Sequence, residues 1–156
     1  SYTGLRVGLS TAKGLCYALN IPLINISTLE IMAFAASKEE TDLLCPVIDA
    51  RRMEVFTAVY TKTLEKILNP QAVILNKDSF SRLLSTNKVL FFGNGSQKVQ
   101  ALISSSNAIF KPIVYSATDM ISLSYNCFFR QNFADLAYTE PVYIKKFFST
   151  GRKSPL

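Results

Sequence analysis

The first twenty residues constrain this chain more than any other stretch. Ser1-Tyr-Thr-Gly-Leu-Arg-Val-Gly-Leu-Ser-Thr-Ala-Lys-Gly-Leu-Cys-Tyr-Ala-Leu-Asn20 reads as one helix, with Thr3 placed to cap it and Pro22 to stop it. Leu5, Leu9, Ala12, Cys16 and Leu19 recur at helical spacing on one side. Val7, Gly14, Leu15 and Ala18 carry apolar character around much of the rest, and the main polar strip is Arg6, Ser10, Lys13, Tyr17 and Asn20. A helix that is apolar nearly all round is buried on more than one side. Gly4, Gly8 and Gly14 each weaken a helix by roughly 1 kcal/mol relative to Ala, so their presence points to close approach of another backbone. The expectation is a helix packed on its own sheet and on a second surface, with Arg6, Ser10, Lys13, Gly14 and Tyr17 as the contacts to another subunit.

A chain of 156 residues can bury one core or two small lobes. Apolar residues make up 49% and charged residues 18%, the balance of a globular rather than a disordered chain. No apolar run is long enough to span a bilayer. Cys16, Cys45 and Cys127 are odd in number and far apart, which fits reduced thiols in a cytosolic protein better than disulfides. The net charge of +6 suits either an acidic partner or a merely soluble basic surface.

Along the chain, residues 21–26 read as a short strand. Ser27 or Thr28 is placed to cap a second helix running to about Ser37. The charged break Lys38-Glu-Glu-Thr-Asp42 is the candidate lobe boundary, dividing 1–41 from 42–148, with 149–156 as a loose tail. Residues 43–48 and 54–61 form a hairpin pattern around the turn Asp49-Ala-Arg-Arg-Met53. In the second strand Val55, Thr57, Val59 and Thr61 lie on one face, and Glu54, Phe56, Ala58 and Tyr60 on the other. A further strand falls within 67–75, a short helix capped by Asp78 runs to about Ser85, and Val89-Leu-Phe-Phe92 is a buried strand. Gly93-Asn-Gly95 then turns the chain into a helix of 96–103. A strand of 109–115, a helix opened by the capping box Ser116-Ala-Thr-Asp119 and ending near Asn132, and a last strand of 142–148 complete the reading.

There is no histidine, so a Ser-His-Asp or Cys-His nucleophile system has no base and a histidine-based metal site is excluded. Gly93-x-Gly95 joins a strand to a helix start, which can hold an anion. A Gly-x-Gly pair with no Lys-Ser or Lys-Thr after it is better explained as a tight turn. Arg51 and Arg52 are candidate contacts for a phosphate or carboxylate of a partner, against the plainer reading of a strand-edge charge pair with Glu54. With Lys145-Lys146 and Arg152-Lys153 they form the basic clusters. No ordered interleaving with aromatics suggests sequence-specific RNA recognition.

Ser1-Tyr-Thr-Gly-Leu-Arg-Val-Gly8, Ala12-Lys-Gly-Leu15, Ile21-Pro-Leu-Ile-Asn-Ile-Ser-Thr-Leu-Glu30, Asp49-Ala-Arg-Arg-Met-Glu-Val-Phe56 and Glu140-Pro-Val-Tyr-Ile-Lys145 together resemble the TsaB (YeaZ) family. That family is an accessory component of tRNA threonylcarbamoyladenosine biosynthesis, formerly labelled glycoprotease-like, peptidase family M22. The resemblance implies an α/β fold of the actin-like ATPase type (ASKHA, ribonuclease H-like) with two lobes. Family members usually carry Gly-Pro-Gly just before the first motif, so the first lobe is expected to be truncated at its N-terminus. In the catalytic relative TsaD a paired-histidine metal motif follows the strand corresponding to 21–26. Thr28 and Met32 stand at those positions here. ATP-binding members of the superfamily follow the Asp of the first second-lobe hairpin with glycines, whereas Asp49 is followed by Ala50, Arg51 and Arg52.

The resemblance therefore implies a non-catalytic scaffold or activator that binds TsaD, with TsaE, in forming N6-threonylcarbamoyladenosine at position 37 of tRNA. No catalytic residue, cofactor or metal is implied, and no membrane association. It further implies a cytoplasmic location, a homodimer when TsaD is absent, and tRNA contact only through the complex. Two other readings stay open. One is an actin-like-fold enzyme, a small-molecule kinase or glycoprotease-type peptidase whose active site lies before residue 1. The other is a self-associating structural module.

Overall fold

The computed structural model describes residues 2–144. Its centre is a five-stranded mixed sheet in the order β3-β2-β1-β4-β5. The strands are β1 (Leu43–Asp49), β2 (Glu54–Thr61), β3 (Lys66–Ile74), β4 (Val89–Phe92) and β5 (Ala108–Phe110). β1, β2 and β3 form an antiparallel meander, while β4 runs parallel to β1 and β5 parallel to β4. The helices are α1 (Tyr2–Leu19), α2 (Thr28–Ala35), α3 (Ser81–Leu84), α4 (Ser96–Gln100) and α5 (Met120–Phe129).

Strand alternation sorts the apolar residues into two cores, one on each face of the sheet. Leu43, Cys45 and Val47 of β1, Val55 and Val59 of β2, and Val89 and Phe91 of β4 pack with Leu84 of α3 and Val99 of α4. Leu44, Ala58, Tyr60, Leu90 and Phe92 pack on the other face against Leu29, Met32, Ala33 and Ala36 of α2 and its end. β1 and β4 are covered on both faces, which is why they read as continuous apolar runs. The two faces expected for β2 are the ones observed, and both are buried. Across the charged turn of 38–42, α2 shares a core with the sheet that follows it.

Pro46 lies inside the central strand β1, where it offers no N–H to the ladder. The Thr57 hydroxyl donates to the Pro46 carbonyl at 2.8 Å, and the Cys45 thiol lies 3.2 Å from that hydroxyl oxygen of Thr57. Burial pushes the Cys45 pKa up to about 12, partly offset by that hydroxyl.

Several boundaries differ from the sequence reading. Thr3 is not a cap, because the helix is already under way at Tyr2. The residues 21–26 give only an isolated bridge, Leu23 to Ala134, rather than a strand. Ser27 occupies the N-cap of α2 without a side-chain capping bond to the helix N–H groups. Phe80, in a left-handed conformation, rather than Asp78 precedes α3. The capping box at Ser116 is present: Ser116 Oγ accepts from the Thr118 N–H and Asp119 accepts from the Ser116 N–H. It opens a 3-10 turn, Ala117–Asp119, that leads into α5. α5 ends at Phe129 and α4 at Gln100, each short of the expected extent, and β5 stops before Pro112. Residues 142–144 are irregular, and the rest of the expected last strand, with the tail of 149–156, lies outside the described residues.

Candidate interaction site

α1 ends in a Schellman motif. Asn20 takes the left-handed conformation with φ 52°, Ile21 N–H donates to the Cys16 carbonyl, and Asn20 N–H donates to the Tyr17 carbonyl. Asn is one of the few side-chain-bearing residues that enter this region readily, so the stop is encoded two residues before the proline.

The helix is held from one side by the segment of 134–143. Lys13 Nζ donates to the carbonyls of Ala137 and Thr139 at 3.0 and 3.1 Å. Arg6 Nε donates to the Tyr143 hydroxyl at 2.7 Å, and its guanidinium stands 5.4 Å from the centre of the same ring. Tyr2 meets Tyr143 with ring centres 5.3 Å apart. The Asp135 carboxylate accepts from the Ala137 and Tyr138 N–H groups and so shapes the turn that presents those carbonyls. The opening and closing motifs of the sequence are thus in direct contact.

Cys16 is the only residue of α1 that is buried among the described residues, and its thiol donates to the Pro22 carbonyl at 3.6 Å. The expected packing of α1 on its own sheet is therefore not found among the described residues. The burial that a two-sided apolar helix calls for is supplied on one side only, by a short strap. Away from the strap Leu5, Leu15 and Leu19 are at least 47% exposed, and so are Val7 and Tyr17 on the flanks of the helix, with Tyr17 at 81%. Gly8 and Gly14 face open space, with nothing within 4 Å of where a Cβ would stand. Of the five residues singled out in the sequence, Arg6 and Lys13 are engaged by the strap, while Ser10, Gly14 and Tyr17 are exposed. The strap contacts were not legible in the sequence, although Tyr143 lay inside a motif already singled out.

The second candidate, the β1–β2 turn, has an unusual backbone. Arg51 and Arg52 both adopt left-handed conformations, φ 66° and 48°. Each costs of order 1 kcal/mol for a residue with a side chain, and Asn-Gly is the pair such turns prefer. The conformation is tied down from several directions. The Asp49 carboxylate accepts from the Arg51 N–H at 2.7 Å and from Lys98 Nζ of α4 at 2.5 Å. Lys98 Nζ also donates to the Arg52 carbonyl at 2.6 Å, and Asn94 Oδ1 accepts from the Asp49 N–H at 3.0 Å. The Lys98 ammonium, then the Arg51 N–H, hold the Asp49 carboxyl below its usual range. Both arginine side chains are exposed. Sequence reasoning found the arginines but not Lys98, which is distant in sequence.

The Gly-Asn-Gly turn is explained by packing. Gly93 has φ 100°, and a Cβ there would lie 2.5 Å from the Val47 carbonyl oxygen. One on Gly95 would lie 2.9 Å from a Val47 methyl. The turn donates through Gly95 N–H to that carbonyl at 3.1 Å. Met32 is fully buried beneath Gly93, while Thr28 is exposed at the start of α2. No group of three or more His, Cys, Asp or Glu residues suited to a metal ion occurs among the described residues. No helix among them is long and apolar enough to cross a membrane. The basic pairs Lys145-Lys146 and Arg152-Lys153 lie outside the described residues.

A family model described as TsaD, tRNA N6-adenosine threonylcarbamoyltransferase, matches residues 1–141. The chain is 38% identical over 98 residues to the tRNA threonylcarbamoyladenosine biosynthesis protein TsaB of Bacillus subtilis (strain 168), covering 60% of this chain and 42% of that protein. It is 27% identical over 158 residues to the protein of the same description from Escherichia coli (strain K12), covering 93% of this chain and 66% of that one. The chain thus spans about 42% to 66% of the length of these relatives. Among solved structures, a Pseudomonas aeruginosa protein described as uncharacterized with similarity to peptidase YEAZ superposes with TM-score 0.79 at 21% identity, covering 93% of this chain and 69% of that one. YeaZ from Pseudomonas aeruginosa superposes with TM-score 0.69 at 24% identity, covering 92% and 69%. These two structures bear on the fold.

Proposed function

The chain belongs to the TsaB/YeaZ family, and from that premise we propose that it acts in tRNA threonylcarbamoyladenosine biosynthesis as a scaffold subunit that binds TsaD. The observation that carries this reading is the state of α1. Its Leu5, Leu15 and Leu19 side is exposed, Val7 and Tyr17 are exposed on its flanks, and the strip of Arg6 and Lys13 is fixed by the strap of 134–143. A large apolar helix surface held in a defined orientation fits a docking face, because little conformational freedom remains to be lost on association. Ser10, Gly14 and Tyr17 lie on the exposed flank beside the strap, next to Val7, and the open space at Gly8 and Gly14 admits a close partner backbone. Arg6 and Lys13 orient the helix by holding the strap.

In this reading the chemistry belongs to TsaD. The position that would carry the second of the paired histidines is Met32, whose side chain is committed to the core beneath Gly93. The turn after Asp49 presents arginines in place of a glycine cradle. We place the protein in the cytoplasm, with TsaE as the further protein partner, tRNA reached through the complex, and self-pairing through α1 when TsaD is absent.

The test is to mix the protein at its full natural length with TsaD on a sizing column with light scattering, and to repeat it with Gly14→Arg and Tyr17→Asp together. Both side chains enter open solvent, so the fold should persist. Co-elution that the double variant abolishes supports the reading. A self-dimer indifferent to excess TsaD would instead support a self-associating module, and ATP turnover by the protein alone would support an enzyme.

A further inference from the structure

We infer that the β1–β2 turn is a preformed phosphodiester-binding tip, in which Arg51 and Arg52 grip the backbone of an RNA without reading its sequence. The identity of the polyanion rests on the proposed role in tRNA modification; the geometry of the tip does not. Two consecutive left-handed residues carry arginine side chains where Asn and Gly would be easier. A strained conformation persists only where its surroundings over-determine it, and such places are enriched at functional sites. Here four bonds do so: Asp49 to the Arg51 N–H, Asn94 to the Asp49 N–H, and Lys98 to both Asp49 and the Arg52 carbonyl.

That network also settles the local charges. Lys98 is paired with Asp49, so the nearest exposed carboxylate is neutralised at the tip. Neither guanidinium is hydrogen-bonded to a described residue, and both are exposed. Guanidinium presents a planar donor fork that matches phosphate oxygens, which an ammonium does not. The tip is a hairpin end with Arg51, Arg52 and Met53 all exposed, a convex shape. A small anion needs enclosure to be held there, whereas a polyanion needs only an extended surface and the long-range attraction of a chain carrying +6.

The experiment uses the full-length protein with TsaD and an unmodified tRNA transcript, measuring affinity by anisotropy across a salt series. Arg51→Gln with Arg52→Gln should weaken binding about tenfold at low salt and flatten the log-affinity against log-salt slope by roughly 1 to 2, as loss of two phosphate contacts requires. Arg51→Lys with Arg52→Lys should keep the slope and lose less affinity. A labelled single-stranded RNA of unrelated sequence should respond to the Gln pair as the tRNA does. Unchanged affinity and slope in the Gln pair would overturn the inference, as would a drop in affinity with no change of slope. Loss of ATP or inorganic phosphate binding with RNA binding intact would assign the tip to a free anion and overturn it. Loss of TsaD co-elution in the Gln pair would make the tip a protein contact, which also overturns it. If TsaD does not bind at all but the salt slope of the protein alone depends on the arginines, the tip stands and the scaffold reading falls.

Discussion

Gly93→Ala should be among the most damaging single-atom changes to this fold. The added methyl meets two costs. At φ 100° an L-residue is strained by about 1 to 3 kcal/mol. The new Cβ would also stand 2.5 Å from the Val47 carbonyl oxygen and 2.6 Å from Met32 Cε. The methionine end can swing away, but the carbonyl belongs to the central strand β1. It already accepts from Gly95 N–H at 3.1 Å, so moving it loosens a bond worth about 1 kcal/mol. A total loss of about 3 kcal/mol follows from these terms. Gly14→Ala is the matched control. Nothing lies within 4 Å of its Cβ position, so the helix should gain about 1 kcal/mol. Urea unfolding followed by circular dichroism reads both, as a fall in midpoint of about 1 to 2 M and a rise of about 0.5 M at ordinary slopes. A Gly93→Ala protein within about 0.5 kcal/mol of the parent would refute the claim that the glycine turn is a packing requirement against β1.

Thr57→Val removes the hydroxyl that serves Pro46 and should cost about 1 to 2 kcal/mol in the same titration, since a buried carbonyl loses its donor. Cys45 and Tyr60 both have folded-state pKa values raised to about 12, from 9.0 and 10.0. For Tyr60 the causes are burial first and the Glu30 charge second; the Ser27 hydroxyl opposes them without reaching hydrogen-bond geometry. Because both values are raised, their contribution is fully present below pH 9 and is lost as pH climbs toward 12, so circular dichroism should show alkaline unfolding in that window. Cys45→Ala should make the alkaline loss shallower. Arg6→Ala should release the strap at a cost of about 0.5 kcal/mol, raising hydrogen exchange across 134–143 without moving exchange in β1 or β4.

The sheet was legible because strand alternation and continuous apolar runs leave little choice. Val89-Leu-Phe-Phe92 could only be a strand covered on both faces, and Ser116 with Asp119 formed the capping box that their spacing announces. What failed was decided by local backbone conformation as well as by distant partners. The run of 21–26 has strand composition, yet it leaves a Schellman stop through Pro22 and finds a bridge only at Leu23. Asp78 looked like a cap, but the left-handed Phe80 sets the start of α3. The candidate site was half legible. Its helix, its glycines and its two arginines announce themselves by composition, whereas the strap on Arg6 and Lys13 and the Lys98 tie to Asp49 join residues 137, 124 and 49 positions apart.

Hydrogen exchange on α1, with and without saturating TsaD, tests the central claim most directly. The account predicts that amides of residues 5–19 slow on addition of TsaD, and that the effect disappears in the Gly14→Arg, Tyr17→Asp protein. Protection confined to β3, α3 or α5, with α1 exchanging as before, would contradict it and move the docking face elsewhere on the fold.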